Sequence, residues 1–374
     1  MKKYIWIVVV ILLAVLVVWG LRKPKDSMGS LNIGVISTVT GAAAYIGESN
    51  MKGAEIGRLK AASEHPDLVI NMYQEDSQFT PQVGILAYNK LRQTNNINAL
   101  VTQGSNISVA VEPLAIQDNV LNIAASTLAS KFSTANDLTA RLTTVASFEA
   151  VPAVHYFKAK GYTRLGILYM NNEIGVSLND ALKITAASTT VSIVASEGYA
   201  ADATDFRTVL IKLKSAGVDS IYIAGLAAHS AVVLKQAADL KIDVPFVSYK
   251  AAEDPSLLKA GTLAEKLVYS NAYDVNADSL ENKDFLKLYE EKYNEKPNGY
   301  AAEAYEAVRM IADIYERCGD TVKDTSARSC AIEYISSTRD RHSVLGPISF
   351  DLNGDVSYPF FMKTIRDGQF VRIE

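Results

Sequence analysis

Two short polar stretches hold the residue types best suited to gripping a small polar molecule. Gln103-Gly104-Ser105-Asn106 follows the apolar run Ala99–Thr102, and Ser126-Thr127 follows Val120–Ala124. Between them Ile107, Val111 and Leu114 recur at i, i+4 and i+7, the spacing of a helix face. A right-handed strand–helix–strand unit brings both polar loops to one carboxyl edge of a parallel sheet. Hydroxyls and helix-start amides then share a crevice, an arrangement for binding rather than for breaking bonds. Ser105 has a plainer role open to it as a helix cap, and the two roles can coexist.

Bond-making chemistry finds no support elsewhere in the chain. GxSxG, HExxH, P-loop and CxxC patterns are absent, so no catalytic residue and no cofactor is expected. His65, His155, His229 and His342 are scattered, which argues against a metal site. Asp351, Asn353 and Asp355 echo a calcium loop, but the glycine is misplaced and the twelfth-position carboxylate is missing, so a β-turn is expected. Cys318 and Cys330 could close a small loop between two helices or stand as independent thiols; export would favour the bridge.

The elements that must position these loops alternate in type. Leu31–Val39, Leu68–Tyr73, Ala99–Thr102 and Val120–Ala124 read as strands separated by helical stretches. From about Thr143 the alternation begins again: Phe148–Lys160 helix, Arg164–Tyr169 strand, Gly175–Thr189 helix, Val191–Ser196 strand, Asp205–Ala216 helix, Ser220–Gly225 strand, Ser230–Leu240 helix and Pro245–Ser248 strand. Two such runs predict an α/β protein with two doubly wound, Rossmann-like lobes. Asn282–Lys296 and Tyr300–Cys318 are long helices, the second carrying Ala304, Ala307, Met310, Ile311 and Ile314 on one face. A short helix after Cys330 and late strands at Gly346–Asp351 and Phe360–Arg366 complete the chain.

At 374 residues the chain is long enough for two domains and a tail. A net charge of −4 without a basic stripe excludes a nucleic-acid surface. Ile5–Leu21 has no charge and carries Trp6 and Trp19 near its ends, which predicts a transmembrane helix. Val-Trp-Gly-Leu-Arg-Lys offers no small-x-small cleavage site, so an uncleaved membrane anchor is favoured over a cleaved signal that would release a secreted or periplasmic protein. Residues 22–30 read as a polar tether.

From residue 31 onward the chain resembles the leucine/isoleucine/valine-type periplasmic binding proteins, the type I solute-binding proteins of ABC transporters. The resemblance rests on Ile33-Gly34-Val35, Thr40-Gly41, Lys52-Gly53-Ala54, Glu75-Asp76, Gly104-Ser105, Glu112-Pro113-Leu114-Ala115 and Arg141. Asn172-Glu173-Ile174-Gly175, Thr204-Asp205-Phe206, Ala304-Tyr305-Glu306-Ala307 and Asn353-Gly354-Asp355 continue it in order and spacing. It implies two lobes joined by three crossings near Thr144, Tyr273 and Leu345-Gly346: residues 31–144 with 274–345, and residues 145–273 with 346–374. It also implies an extracytoplasmic domain that closes on a small molecule and delivers it to an ABC permease with its ATPase. The same module serves elsewhere as a ligand-sensing ectodomain acting through a separate partner.

By that resemblance the ligand-binding residues are Tyr45, Gly104, Ser105, Asn106, Ser126, Thr127, Ala146, Ser147, Ile174, Leu226 and Tyr249. Several depart from the family's amino-acid pattern. Ile46 stands where an aromatic is usual, Ile174 where a tyrosine is, and Ala146-Ser147 where an acid often follows the first crossing. No acid accompanies Tyr249, and the neighbouring Lys250 is expected to be solvated. A ligand ammonium would lack its anionic partner, so an apolar, neutral or carboxylate-bearing molecule is expected rather than a standard amino acid.

Overall fold

The computed structural model describes residues 29–132 and 134–373. The expected anchor, Ile5–Leu21, lies outside them; among the described residues no helix is long and apolar enough to cross a membrane.

The first half alternates as its periodicity predicts. β1 (Leu31–Ser37), α1 (Ala44–Glu64), β2 (Ile70–Asp76), α2 (Pro81–Asn95), β3 (Ala99–Gln103), α3 (Ser105–Gln117), β4 (Leu121–Ser126) and β5 (Thr139–Arg141) follow in order. They build a parallel five-stranded sheet in the order β2-β1-β3-β4-β5. β3 and β4 are buried along their whole length because helices cover both faces, which is why they read as continuous apolar runs.

The chain then enters α4 (Ala146–Ala159), β6 (Arg164–Met170), α5 (Glu173–Ala187), β7 (Ser192–Tyr199), α6 (Arg207–Ser215), β8 (Ser220–Ala224), α7 (Ala227–Asp239) and β9 (Phe246–Ser248). Short 3-10 turns at Lys250–Ala252 and Pro255–Lys266 lead to β10 (Leu267–Asn271). α8 (Leu280–Tyr293) and α9 (Gly299–Cys318) return to the first sheet, where Ala304, Ala307, Met310, Ile311 and Ile314 enter its core. α9 lies close against α1 because α1 offers glycines there. A Cβ on Gly53 would stand 2.0 Å from the Ala301 carbonyl oxygen, and one on Gly57 2.6 Å from that of Tyr305. α10 (Thr325–Ser337) contains Cys330 instead of following it, and a Cys318–Cys330 disulfide ties it to the end of α9.

β11 (Ser349–Phe350) and β12 (Val356–Ser357) form a hairpin whose Ile348, Phe350 and Val356 belong to the core of the first sheet. Arg141 Nε lies 2.6 Å from Asp355 Oδ1, and its backbone N–H donates to Gly354 O at 3.0 Å. The last passage between sheets therefore falls between Ser357 and Phe361, later than Leu345-Gly346, because the hairpin needs that apolar core. At the hairpin turn Asp351 accepts from the backbone of Asn353 and Asp355, an Asx-type turn. Among the described residues no cluster suits a metal ion. β13 (Phe361–Arg366) and β14 (Gln369–Arg372) then complete a seven-stranded sheet, β14-β13-β10-β9-β8-β6-β7, with the last two strands antiparallel.

Candidate ligand cleft

The carboxyl edges of the two sheets face each other across a cavity of about 20 Å³. Gln103, Gly104, Ser105, Ser126 and Leu128 line it from the first sheet's edge, with Ile46, Phe79 and Tyr300 beside them. Ile174, Leu226, Tyr249, Lys250 and Ala251 close it from the other. The lobes meet tightly here: Ala43, Ile46 and Tyr300 pack into the core cluster around Leu226, and Leu128 into the one around Ile174. The space is about that of one water, so a molecule of amino-acid size must part the lobes.

Of the expected contacts, Gly104, Ser105, Ser126, Ile174, Leu226 and Tyr249 are brought together. The others stand behind or beside the cavity. Asn106 donates from Nδ2 to the carbonyl of Phe79 at 2.8 Å, which holds that ring in the wall. Thr127 is buried and its hydroxyl has no hydrogen-bond partner. Ala146 donates its N–H to Leu128 O at 3.0 Å, Ser147 is exposed, and Tyr45, in the first turn of α1, is exposed as well. Ile46, Phe79, Gln103, Leu128, Lys250, Ala251 and Tyr300 line the cavity without being among the expected contacts. For Phe79 the signal is faint: Gln78 and Phe79 both take left-handed φ, 50° and 58°, which no residue type there announces.

Ser105 is not the helix cap. Gly104, at φ 93°, is the residue before α3, and it makes no side-chain cap. The Ser105 hydroxyl instead accepts from Leu128 N at 2.9 Å and Ala129 N at 3.2 Å, pinning the loop after β4. Both lone pairs are then engaged and only its proton remains to be offered. Gln103 is polarised the same way: its Oε1 accepts from Thr38 N at 2.9 Å, which leaves the NH₂ as its unused end. Helices α3, α5 and α7 begin at Ser105, Glu173 and Ala227, so three positive dipole ends converge on the cavity.

Lys250 is buried, not solvated, at 6% exposure. Its ammonium donates to Thr143 Oγ1 at 2.8 Å, Ser126 Oγ at 3.2 Å and Glu303 Oε1 at 2.5 Å, and lies 4.8 Å from the centre of the Tyr300 ring. Acids do stand near the cleft, contrary to the sequence reading, but each has one oxygen engaged, Glu303 Oε1 by Lys250 and Glu149 Oε2 by Ser270. Burial raises the Glu303 carboxyl above its usual range, and the charge of Lys250 opposes that rise. Glu149, on α4, is pushed up to about 7 by burial, against the pull of Lys250 and a 2.9 Å hydrogen bond from Ser270.

A family model described as periplasmic binding protein matches residues 30–367. The chain is 25% identical over 359 residues to Leu/Ile/Val-binding protein homolog 3 of Brucella melitensis, covering 92% of this chain and 94% of that one. The leucine-binding protein LivK of Thermotoga maritima superposes with a TM-score of 0.81 at 21% identity, over 92% of this chain and 98% of its own. A solute-binding protein of an R. palustris ABC transporter, solved in complex with benzoate, gives 0.81 at 17% identity, over 92% and 96%. The two solved structures speak for the two-lobed type I fold.

Proposed function

The chain belongs to the periplasmic binding protein family, and from that premise we propose that it captures a small carboxylic acid between its lobes by hinge closure. The observation that carries this reading is the polarity of Ser105. Two backbone amides fill its acceptor side, so it meets a ligand as a donor, which a carboxylate accepts and an ammonium does not. The NH₂ of Gln103 and the three helix starts favour the same charge. Ile46, Phe79, Leu128, Ile174 and Leu226 surround the donors with apolar surface, which suits an aliphatic or aromatic body. That one relative is named for leucine and another was solved with benzoate brackets the same two chemistries.

In this proposal residues 31–144 with 274–345, and 145–273 with 346–374, move as the two lobes, apart from the β11–β12 hairpin, which travels with the first. The apolar segment Ile5–Leu21 holds the domain outside the cytoplasmic membrane, and the ligand passes to a permease driven by an ATPase. Binding energy shared between both lobes favours the closed state, and only a ligand that prefers that state shifts the population. A thermal-shift panel tests the reading. Benzoate and isocaproate should raise the melting temperature, while leucine, isoleucine and valine should leave it in place. Stabilisation by the amino acids alone would overturn it.

A further inference from the structure

Ser126, Thr143, Glu303 and Tyr300 all belong to the first sheet's side. Ser126 ends β4, Thr143 follows β5, and Tyr300 and Glu303 sit in the first turn or so of α9, which packs on β4. Lys250 belongs to the other side, two residues past the end of β9. The ammonium therefore crosses the interface alone, on the end of its own stem. Once across, each of its three N–H donors meets an oxygen, at 2.8, 3.2 and 2.5 Å, and a tyrosine face backs it at 4.8 Å. An incidental ion pair needs one carboxylate; this set gives full coordination. Glu303 Oε2 adds to it, being buried without a hydrogen-bond partner.

We propose that Ser126, Thr143, Glu303 and Tyr300 form a binding site for a primary ammonium group on one lobe, filled on closure by Lys250 from the other. The chain carries its own ammonium for that place, so parting the lobes must withdraw it and leave the cage open. This reaches beyond the acid-binding reading and stands whatever the ligand proves to be. When Lys250 is shortened, a free alkylammonium ion of matching size takes its position.

The test is chemical rescue in the full chain. Lys250→Ala is melted alone, with n-propylammonium chloride, and with tetramethylammonium chloride, which brings the same charge and no N–H. The expected result is a lowered melting temperature of which propylammonium restores at least half, saturably, while tetramethylammonium does not. Unsubstituted protein should respond to neither. Absence of recovery, or equal recovery by both cations, overturns the proposal. Should Lys250→Ala fail to fold, Glu303→Gln retains the lysine, and fluorophores placed one on each lobe read closure without ligand. A wider separation than in the unsubstituted protein is expected, and an unchanged one overturns the latch. Neither readout uses an acid ligand, so failure here is separable from failure of the acid reading.

Discussion

Replacing Ser105 with alanine removes one oxygen that serves two amides and one proton aimed at the ligand. The hydroxyl accepts from Leu128 N at 2.9 Å and from Ala129 N at 3.2 Å, and the site is fully buried. A buried N–H left without an acceptor costs about 1–3 kcal/mol, and the longer bond contributes the lesser share. The two together come to about 2–4 kcal/mol. At about 2 °C per kcal/mol for a chain of this size, Ser105→Ala should melt about 4–8 °C lower. Affinity suffers separately: an O–H donated to a carboxylate contributes about 1.5–3 kcal/mol, so the dissociation constant for an acid ligand should rise about 10- to 150-fold. Differential scanning calorimetry reads the first effect and isothermal titration the second. A melting shift under about 1 °C would refute the loop-pinning argument. A lowered melting point with an unchanged dissociation constant would refute the donor argument and leave Ser105 as a pin alone.

Three further expectations follow from buried groups elsewhere. Glu149 titrates at about 7 in the fold against 4.5 as its ordinary value, so the folded state holds the extra proton between those pH values. Stability should therefore fall as pH rises from about 4.5 to 7, by up to about 3 kcal/mol, and Glu149→Gln should flatten that part of the melting profile; identical slopes would contradict it. Reducing the Cys318–Cys330 bridge, which closes a loop across 12 positions, should cost about 3 kcal/mol in calorimetry with and without dithiothreitol. Arg141 is buried, donates to Ala129 O at 2.7 Å and to Phe132 O, and faces Asp355. Arg141→Met should destabilise by about 3–5 kcal/mol and open the loop around residues 127–132 to limited proteolysis; a protected loop would count against its role.

Much of the architecture was legible because it is written in local periodicity. Strand–helix alternation marked both sheets, and small polar residues after β3 and β4 marked one wall of the cleft. What escaped depends on partners distant in sequence. Lys250 looks like a solvated lysine until Glu303, Thr143 and Ser126 are seen around it, and none of the three lies within 50 residues of it. Ser105 at a helix start invites the capping role, yet its acceptors serve amides more than 20 residues away. Phe79 reaches the cavity through two consecutive left-handed residues, neither of them glycine. The side on which the late hairpin packs is not legible locally, because its two-residue strands ladder with each other, and the contacts that place it, the burial of Ile348, Phe350 and Val356 and the hold of Arg141 on Gly354 and Asp355, are distant in sequence. Family position puts Ala146 and Ser147 in the cleft, whereas α4 begins there and carries the exposed Ser147 away from it.

The cleft accepts a carboxylate and not an α-ammonium, because Ser105 and Gln103 have their acceptor sides filled and meet a ligand only as donors. Leucine and isocaproate share a carbon skeleton and differ only in that ammonium, so titrating the full chain calorimetrically with each isolates the point. Burying an unpaired ammonium costs several kcal/mol, so isocaproate should bind at least about a hundredfold more tightly than leucine. Leucine binding as tightly as isocaproate, or more so, would mean that the cleft does accommodate an α-ammonium.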